Sequence, residues 1–373
     1  MKTRLLRFSL PLGLLLAALW TSKTYADAGT PLMWASMLQL FVGNAIIGLG
    51  EGFLLAWKYG ARKATSVLVM IAANYFSTWV GSLGLAWWIK AHVRVTLYSG
   101  WMLLLLALVA SLVISIILEW PFVLLCLRRQ ERPIYRSLRA SAFLQCASYA
   151  VLVPLFYLAS GTSLYTTTHL DRTHDFVRET CATCIFISPT DGDVYSRKLG
   201  SGSTEKVATL KAFDSEARMF VRKPEGAETW DLWAVKGEGA DHHPEEVLVL
   251  HGFARRAAEF GSSWGRGDHE PTTWFNFGPA AELGTSSAWE FSTGFWPVEG
   301  LVARPGGDRE AAVWISLETP FLSWPARNAT ALPGDQVLFQ LGDQICIFDP
   351  ASRKLSLLTE GRGPVVILDG CDE

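Results

Sequence analysis

Acidic residues are scarce in the first 160 positions: of the 35 Asp and Glu in the chain, only Asp27, Glu51, Glu119 and Glu131 fall there. No His, Lys or Arg lies near the middle of any long apolar run in that stretch, so an ion pair is excluded as the reason for a buried acid. Beyond residue 160 the scarcity reverses. No apolar run there is long enough to cross a hydrocarbon layer of ~30 Å, and acids outnumber Lys and Arg by 31 to 19. That acidity excludes nucleic acid as a partner, because phosphate binding needs clustered cations. Nucleophile motifs and phosphate-binding glycine loops are missing from any context that would give them chemistry. No cofactor is expected, and the chain reads as non-catalytic.

What is present divides the chain. Residues 1–26 have the layout of a secretory signal peptide: Lys2, Arg4 and Arg7, then an apolar core from Leu10 to Trp20, then small residues up to Ala26. Residues 27–160 carry four apolar segments, about 31–57, 65–89, 97–127 and 138–160, each with the ~20 residues a span requires. Lys58, Arg62 and Lys63 fill the first connecting loop, and Arg128, Arg129, Arg132, Arg136 and Arg139 cluster at the third. Basic loops stay in the cytoplasm, so everything after residue 160 is expected outside, at a bacterial inner membrane with the outer domain extracytoplasmic or periplasmic. Trp34, Trp87, Trp88 and Trp101 fall near the outer ends of the spans, as interfacial residues do.

Glu51 and Glu119 lie seven and nine residues before Lys58 and Arg128, at similar depth in the first and third spans. Asn74 and Gln145 reach that depth on the second and fourth. GEGFLLAWKYGARK followed by AANYFS, and LEWPFVLLCLRR followed by FLQCASY, share one order: acid, apolar stretch, basic loop, amide, then Ser77 or Ser148 three residues on. Two hairpins of one orientation would form a parallel repeat. A carboxylate in hydrocarbon costs a few kcal/mol even on lenient scales. Two readings of the cluster Glu51, Asn74, Glu119 and Gln145 therefore stand: a proton or ion relay, or a hydrogen-bonded clasp between helices. Gly48, Gly50 and Gly52 favour close helix approach in either case, and Pro121 predicts a local kink just after Glu119.

Residues 161–180 read as a polar linker; its His169, Asp171, His174 and Asp175 are ligand-capable but read as solvated. From Cys181 to Glu373, short alternating runs such as CIFISP, RMFVRKP, TTWFNFG and DQICIFD, broken by Gly, Asp and Pro, read as strands. An all-β domain follows, either a propeller or a sandwich. ISPTDGDVYSRKL and LFQLGDQICIFDPASRKLSLLTEG repeat strand, tight Asp turn, strand, Arg-Lys turn and strand, which resembles blades of TolB-like β-propellers. At ~35–40 residues a blade the length predicts about five, with the terminal GPVVIL strand closing the ring on the first.

Cys126 and Cys146 fall in spans, whereas Cys181, Cys184, Cys346 and Cys371 are exported, enough for two disulfides in three pairings. If extended, Cys181 and Cys184 lie ~10 Å apart, too far to bridge each other, so Cys371 is expected to tether the closing strand to one of them. No thioredoxin-like strand and helix surrounds CATC. Asp241, His242, His243, Glu245 and Glu246 read as an exposed loop rather than a metal site. The expected protein is a four-span bundle embedded in the lipid bilayer that displays a β-domain to a protein or glycan of the envelope. The alternative is a small transporter or ion-coupled module built on the paired glutamates.

Overall fold

In a computed structural model, residues 30–368 are described apart from 82–83, 85–87, 89–91, 179–180, 201, 215–216, 239–243, 259–277, 284–286, 295–298 and 307–310. The signal-peptide segment lies outside the described residues, as does the loop 241–243. Among the described residues, three helices are long and apolar enough to cross a membrane: α1 (Pro31–Tyr59), α3 (Gly100–Leu127) and α4 (Pro133–Ala159). The second expected span is represented by α2 (Lys63–Val80), shorter than the other three, and the rest of 65–89 lies partly outside the described residues.

Local chemistry sets the helix ends. Thr30 caps α1 by accepting from the Met33 N–H at 3.2 Å, a polar cap that replaces an orphan helical donor's missing partner. Gly60 stops α1 with φ +71°, a left-handed conformation that glycine adopts without strain. Pro133 opens α4, where a missing N–H costs nothing. Both basic loops lie at one end of the bundle, tied together by Gln130 Nε2 donating to the Tyr59 carbonyl at 2.8 Å.

The β-domain is a four-bladed, propeller-like arrangement of sheets among the described residues. The first sheet runs in the order β17-β2-β3-β4, built from β2 (Ala182–Ile187), β3 (Val194–Lys198), β4 (Thr204–Ala208) and the C-terminal β17 (Arg362–Leu368). Next come β5 (Arg218–Arg222), β6 (Trp230–Glu238) and β7 (Pro244–Ala254). The third sheet holds β8 (Gly278–Pro279), β9 (Trp289–Gly294), β10 (Gly300–Pro305), β11 (Val313–Glu318) and β12 (Ser323–Trp324). The fourth holds β13 (Ala326–Leu332), β14 (Gln336–Leu341), β15 (Gln344–Asp349), β16 (Lys354–Glu360) and, in parallel at its edge, β1 (His169–Leu170). The last strand does complete the first sheet, with Val366 opposite Cys184 and Leu368 opposite Ala182. Five blades were expected and four sheets are described: the third spreads its five strands from Gly278 to Trp324, more chain than the ~35–40 residues assumed for a blade, and residues 259–277 between the second and third sheets lie outside the described residues.

Apolar cores fill the spaces between sheets. Ile185 and Ile187 point from β2 toward Met219, Leu232 and Ala234 of the second sheet, while Cys184 and Phe186 on its other face pack with Leu338, Ile345 and Ile347 of the fourth. This explains why β2 is buried at every position rather than at alternate ones. Buried Asp193 accepts from Lys206 Nζ at 2.7 Å, Lys211 Nζ at 3.2 Å and the Leu210 and Lys211 N–H groups, pinning the chain after β4 to β3. The Lys206 ammonium beside it holds its carboxyl well below the usual range, against the cost of burial.

The segment after α4, expected as a polar linker, is engaged by the β-domain. Gly161 bridges Glu318, α5 (Ser163–Thr166) packs Leu164 into the core between the third and fourth sheets, and β1 pairs with β16. Backbone groups that solvent would otherwise satisfy are taken up by β11 and β16. Leu97, just before α3, is buried in that same core. The β-domain therefore packs directly on the bundle, at the end opposite the basic loops.

Candidate functional site

The bundle brings the four predicted polar residues together, and two serines join them. Glu51 on α1 and Glu119 on α3 are only 1% and 2% exposed. Asn74 Nδ2 of α2 donates to Glu51 Oε2 at 2.6 Å, and Ser148 Oγ of α4 donates to Glu51 Oε1 at 2.5 Å. Gln145 Nε2 donates to Glu119 Oε2 at 2.5 Å, and Ser77 Oγ to Glu119 Oε1 at 2.6 Å. Each glutamate thus takes its amide from its own hairpin and its hydroxyl from the other hairpin. Gln145 Nε2 also reaches Glu51 Oε1 at 3.4 Å, linking the two halves. Among the described residues, amides and hydroxyls satisfy the carboxyl oxygens without a cation.

The swap of serines follows from the sequence offset. Ser77 stands three residues after Asn74 and Ser148 three after Gln145, so on each helix the pair shares a face one turn apart. The amide meets the adjacent helix of its hairpin, and the serine meets the helix beyond. Asn74 is fixed further by donating to the Met70 carbonyl at 3.0 Å.

Small residues close the two hairpins in complementary ways. In the first, a Cβ on Gly48 would lie 2.5 Å from Ile71 Cα, and one on Gly52 would lie 2.5 Å from Val67 Cα, so α1 and α2 touch through these glycines. Gly50 has nothing within 4 Å of a built Cβ; it faces outward, and the expectation that it promotes helix approach is corrected. In the second hairpin the small residues belong to the other helix: Ser141 Oγ donates to the Ile116 carbonyl at 3.0 Å and Ser137 Oγ accepts from Trp120 Nε1 at 2.8 Å. Pro121 lies inside α3, which continues through it to Leu127.

A second polar layer escaped the sequence reading. Buried Asn44, seven residues before Glu51, accepts at Oδ1 from Gln39 Nε2 at 3.0 Å and from Thr78 Oγ1 at 2.9 Å. Residues Gln39–Gly43 form a π-helical turn there, and the Phe41 carbonyl accepts from Tyr75 Oη at 2.5 Å. The available signal was an Asn in a span followed seven residues later by the acid.

The cysteines of the β-domain half divide. Cys184 and Cys346 are free, fully buried thiols, each pushed up by burial out of the ordinary thiol range. The expectation that Cys184 and Cys346 are candidates for disulfides is corrected: their strands are interior, and each thiol packs as a small hydrophobe in a core. Cys181 is exposed just before β2, and Cys371 lies outside the described residues. No group of three metal-ligating side chains occurs among the described residues; His174 Nε2 instead lies 2.8 Å from the Leu357 carbonyl, and Glu246 pairs with Arg222 at 3.2 Å.

Substitution by alanine separates the three glycines. Gly48→Ala and Gly52→Ala should each destabilise the detergent-solubilised protein by about 1–3 kcal/mol through overpacking, whereas Gly50→Ala should leave thermal unfolding unchanged or slightly higher because alanine favours helix. Equal effects at all three positions would contradict the close α1–α2 contact. In comparisons with known proteins, the chain matches no protein-family model, no curated protein and no solved structure, so its fold and its paired-carboxyl network are described on their own geometry.

Proposed function

We propose that the chain is an integral membrane protein in which a four-span bundle holds a propeller-like domain outside the cytoplasm to bind a protein or glycan of the cell envelope without catalysis. The observation that carries this reading is the direct docking of the β-domain on the bundle: Leu97 and Leu164 from the helical side lie in its core, at the end opposite the basic loops. A positive cytoplasmic face then puts the β-domain on the other side. In this reading α2 is the fourth span, since it runs back from the basic loop between α1 and α3. An alkaline phosphatase fused after Glu373 should be active, and the same enzyme inserted at Gln130 inactive; the reverse pattern would refute the orientation.

A disulfide between Cys181 and Cys371 belongs to this proposal. It is supported by the disulfide-bonded state of Cys181, by the free state of Cys184 and Cys346, and by the pairing of Ala182 with Leu368, three residues before Cys371. Non-reducing peptide mapping should recover that single crosslink; four free exported thiols would exclude it.

A second reading, in which the bundle exchanges protons or small cations, is favoured by one observation: two buried carboxyls share a connected network through Gln145. Glu51→Gln and Glu119→Gln keep hydrogen-bonding capacity but remove titration. In proteoliposomes the double variant should abolish any proton or ion flux shown by the wild type, and flux that survives unchanged would eliminate the relay.

A further inference from the structure

The outer domain grips three bundle helices by their outer ends through two of its residues, α1 and α3 by side chains and α4 by backbone. Glu318, the last residue of β11, accepts from Thr30 Oγ1, the hydroxyl that also caps α1. The backbone of Glu318 exchanges hydrogen bonds of 2.9 and 2.8 Å with Gly161, two residues past the end of α4. Gln344, the first residue of β15, accepts at Oε1 from the buried Leu97 N–H at 2.6 Å, three residues before α3 begins. Tyr165 Oη donates to the Leu97 carbonyl at 3.0 Å, and Tyr98 Oη to the Asp171 carbonyl at 2.7 Å, so this turn is held from both sides.

These three helices are the ones that carry Glu51, Glu119, and the Gln145–Ser148 pair. At ~1.5 Å per residue, Thr30 stands about 31 Å from Glu51 along α1, and Gly100 about 29 Å from Glu119 along α3. With Leu97 gripped three residues before Gly100, the two grips stand at similar distances from the two carboxyls. A packed helix transmits an axial shift or rotation along its length, because its core contacts are discrete rather than continuously deformable. At the far end, hydrogen bonds of 2.5–2.6 Å between α1 and α4 and between α2 and α3 leave little slack for such a shift.

We propose that Glu318 and Gln344 are positioning residues for the intramembrane network, so that docking of the outer domain sets how tightly Glu51 and Glu119 are closed off. Glu318 acts mainly on Glu51 through α1, and Gln344 on Glu119 through α3. Whatever binds the outer domain and shifts its seat on the bundle thereby alters access to the carboxyl pair. The inference rests on the docking contacts and the network, and on neither the partner-binding nor the flux reading.

The test uses the full chain in phospholipid vesicles, a hydrophobic carbodiimide as the probe, and peptide mass spectrometry to score modification at each glutamate. Wild type should react slowly at both. Gln344→Leu should speed modification of Glu119 by about tenfold, within the usual range of coupling between sites, and Thr30→Val should speed Glu51 in preference. Gln344→Glu, which retains an acceptor for Leu97, should restore the slow rate. Asp193→Asn weakens the outer domain away from the docking contacts and should leave both rates unchanged. Unaltered rates in Thr30→Val and Gln344→Leu, loss of the helix-specific preference, or equal acceleration by Asp193→Asn would each overturn the proposal. If Gln344→Leu does not accumulate, Thr30→Val alone decides it by its preference for Glu51.

Discussion

A carboxyl group in hydrocarbon must find hydrogen-bond donors within the protein, because the bilayer supplies none. Glu51 and Glu119 find theirs only when four helices are assembled, since each draws its hydroxyl from the opposite hairpin. Neither hairpin can satisfy its own acid alone. Depth, register and pairing of the helices all follow from this requirement, and interhelical bonds of this kind contribute about 0.6–2 kcal/mol each. Their value as a specification exceeds that energy: a one-residue slip of α2 or α4 would turn an amide and a serine away together.

Close approach makes the network reachable. Asn74 meets Glu51 within 2.6 Å because Gly48 and Gly52 let the α2 backbone lie against α1. The second hairpin reaches the same end with Ser137 and Ser141 on its returning helix. The two halves therefore share a polar pattern while differing in which helix supplies the small residues. The asymmetry continues outward, where the π-helical turn and Asn44 layer of α1 face Thr78 and α3 instead offers Ser111 to Tyr149.

The β-domain obeys a different constraint, the closure of sheet edges. Its first sheet is completed by β17, and the fourth is edged by β1 from the segment that follows α4. Both ends of the domain are thereby committed to its sheets, and the stretch after α4 that looked like a polar tether becomes part of the fold. The same commitment brings Leu97 and Leu164 into the core, so bundle and β-domain share apolar packing rather than a flexible joint.

The sequence by itself determined the division near residue 160, the long apolar helices, the basic end of the bundle, the all-β character of the second half, and the equal depth of Glu51, Asn74, Glu119 and Gln145. These are legible because hydropathy, periodicity and spacing along one helix are local properties. Tertiary structure alone decided that Ser77 and Ser148 cross between hairpins, that Gly50 faces away while Gly48 and Gly52 make contact, that Cys184 and Cys346 are core thiols, and that Glu318 and Gln344 hold helix ends. Each of these depends on groups brought together from distant positions, Gln344 and Leu97 being 247 residues apart, and no local pattern encodes a contact whose partner is set by the packing of the whole chain.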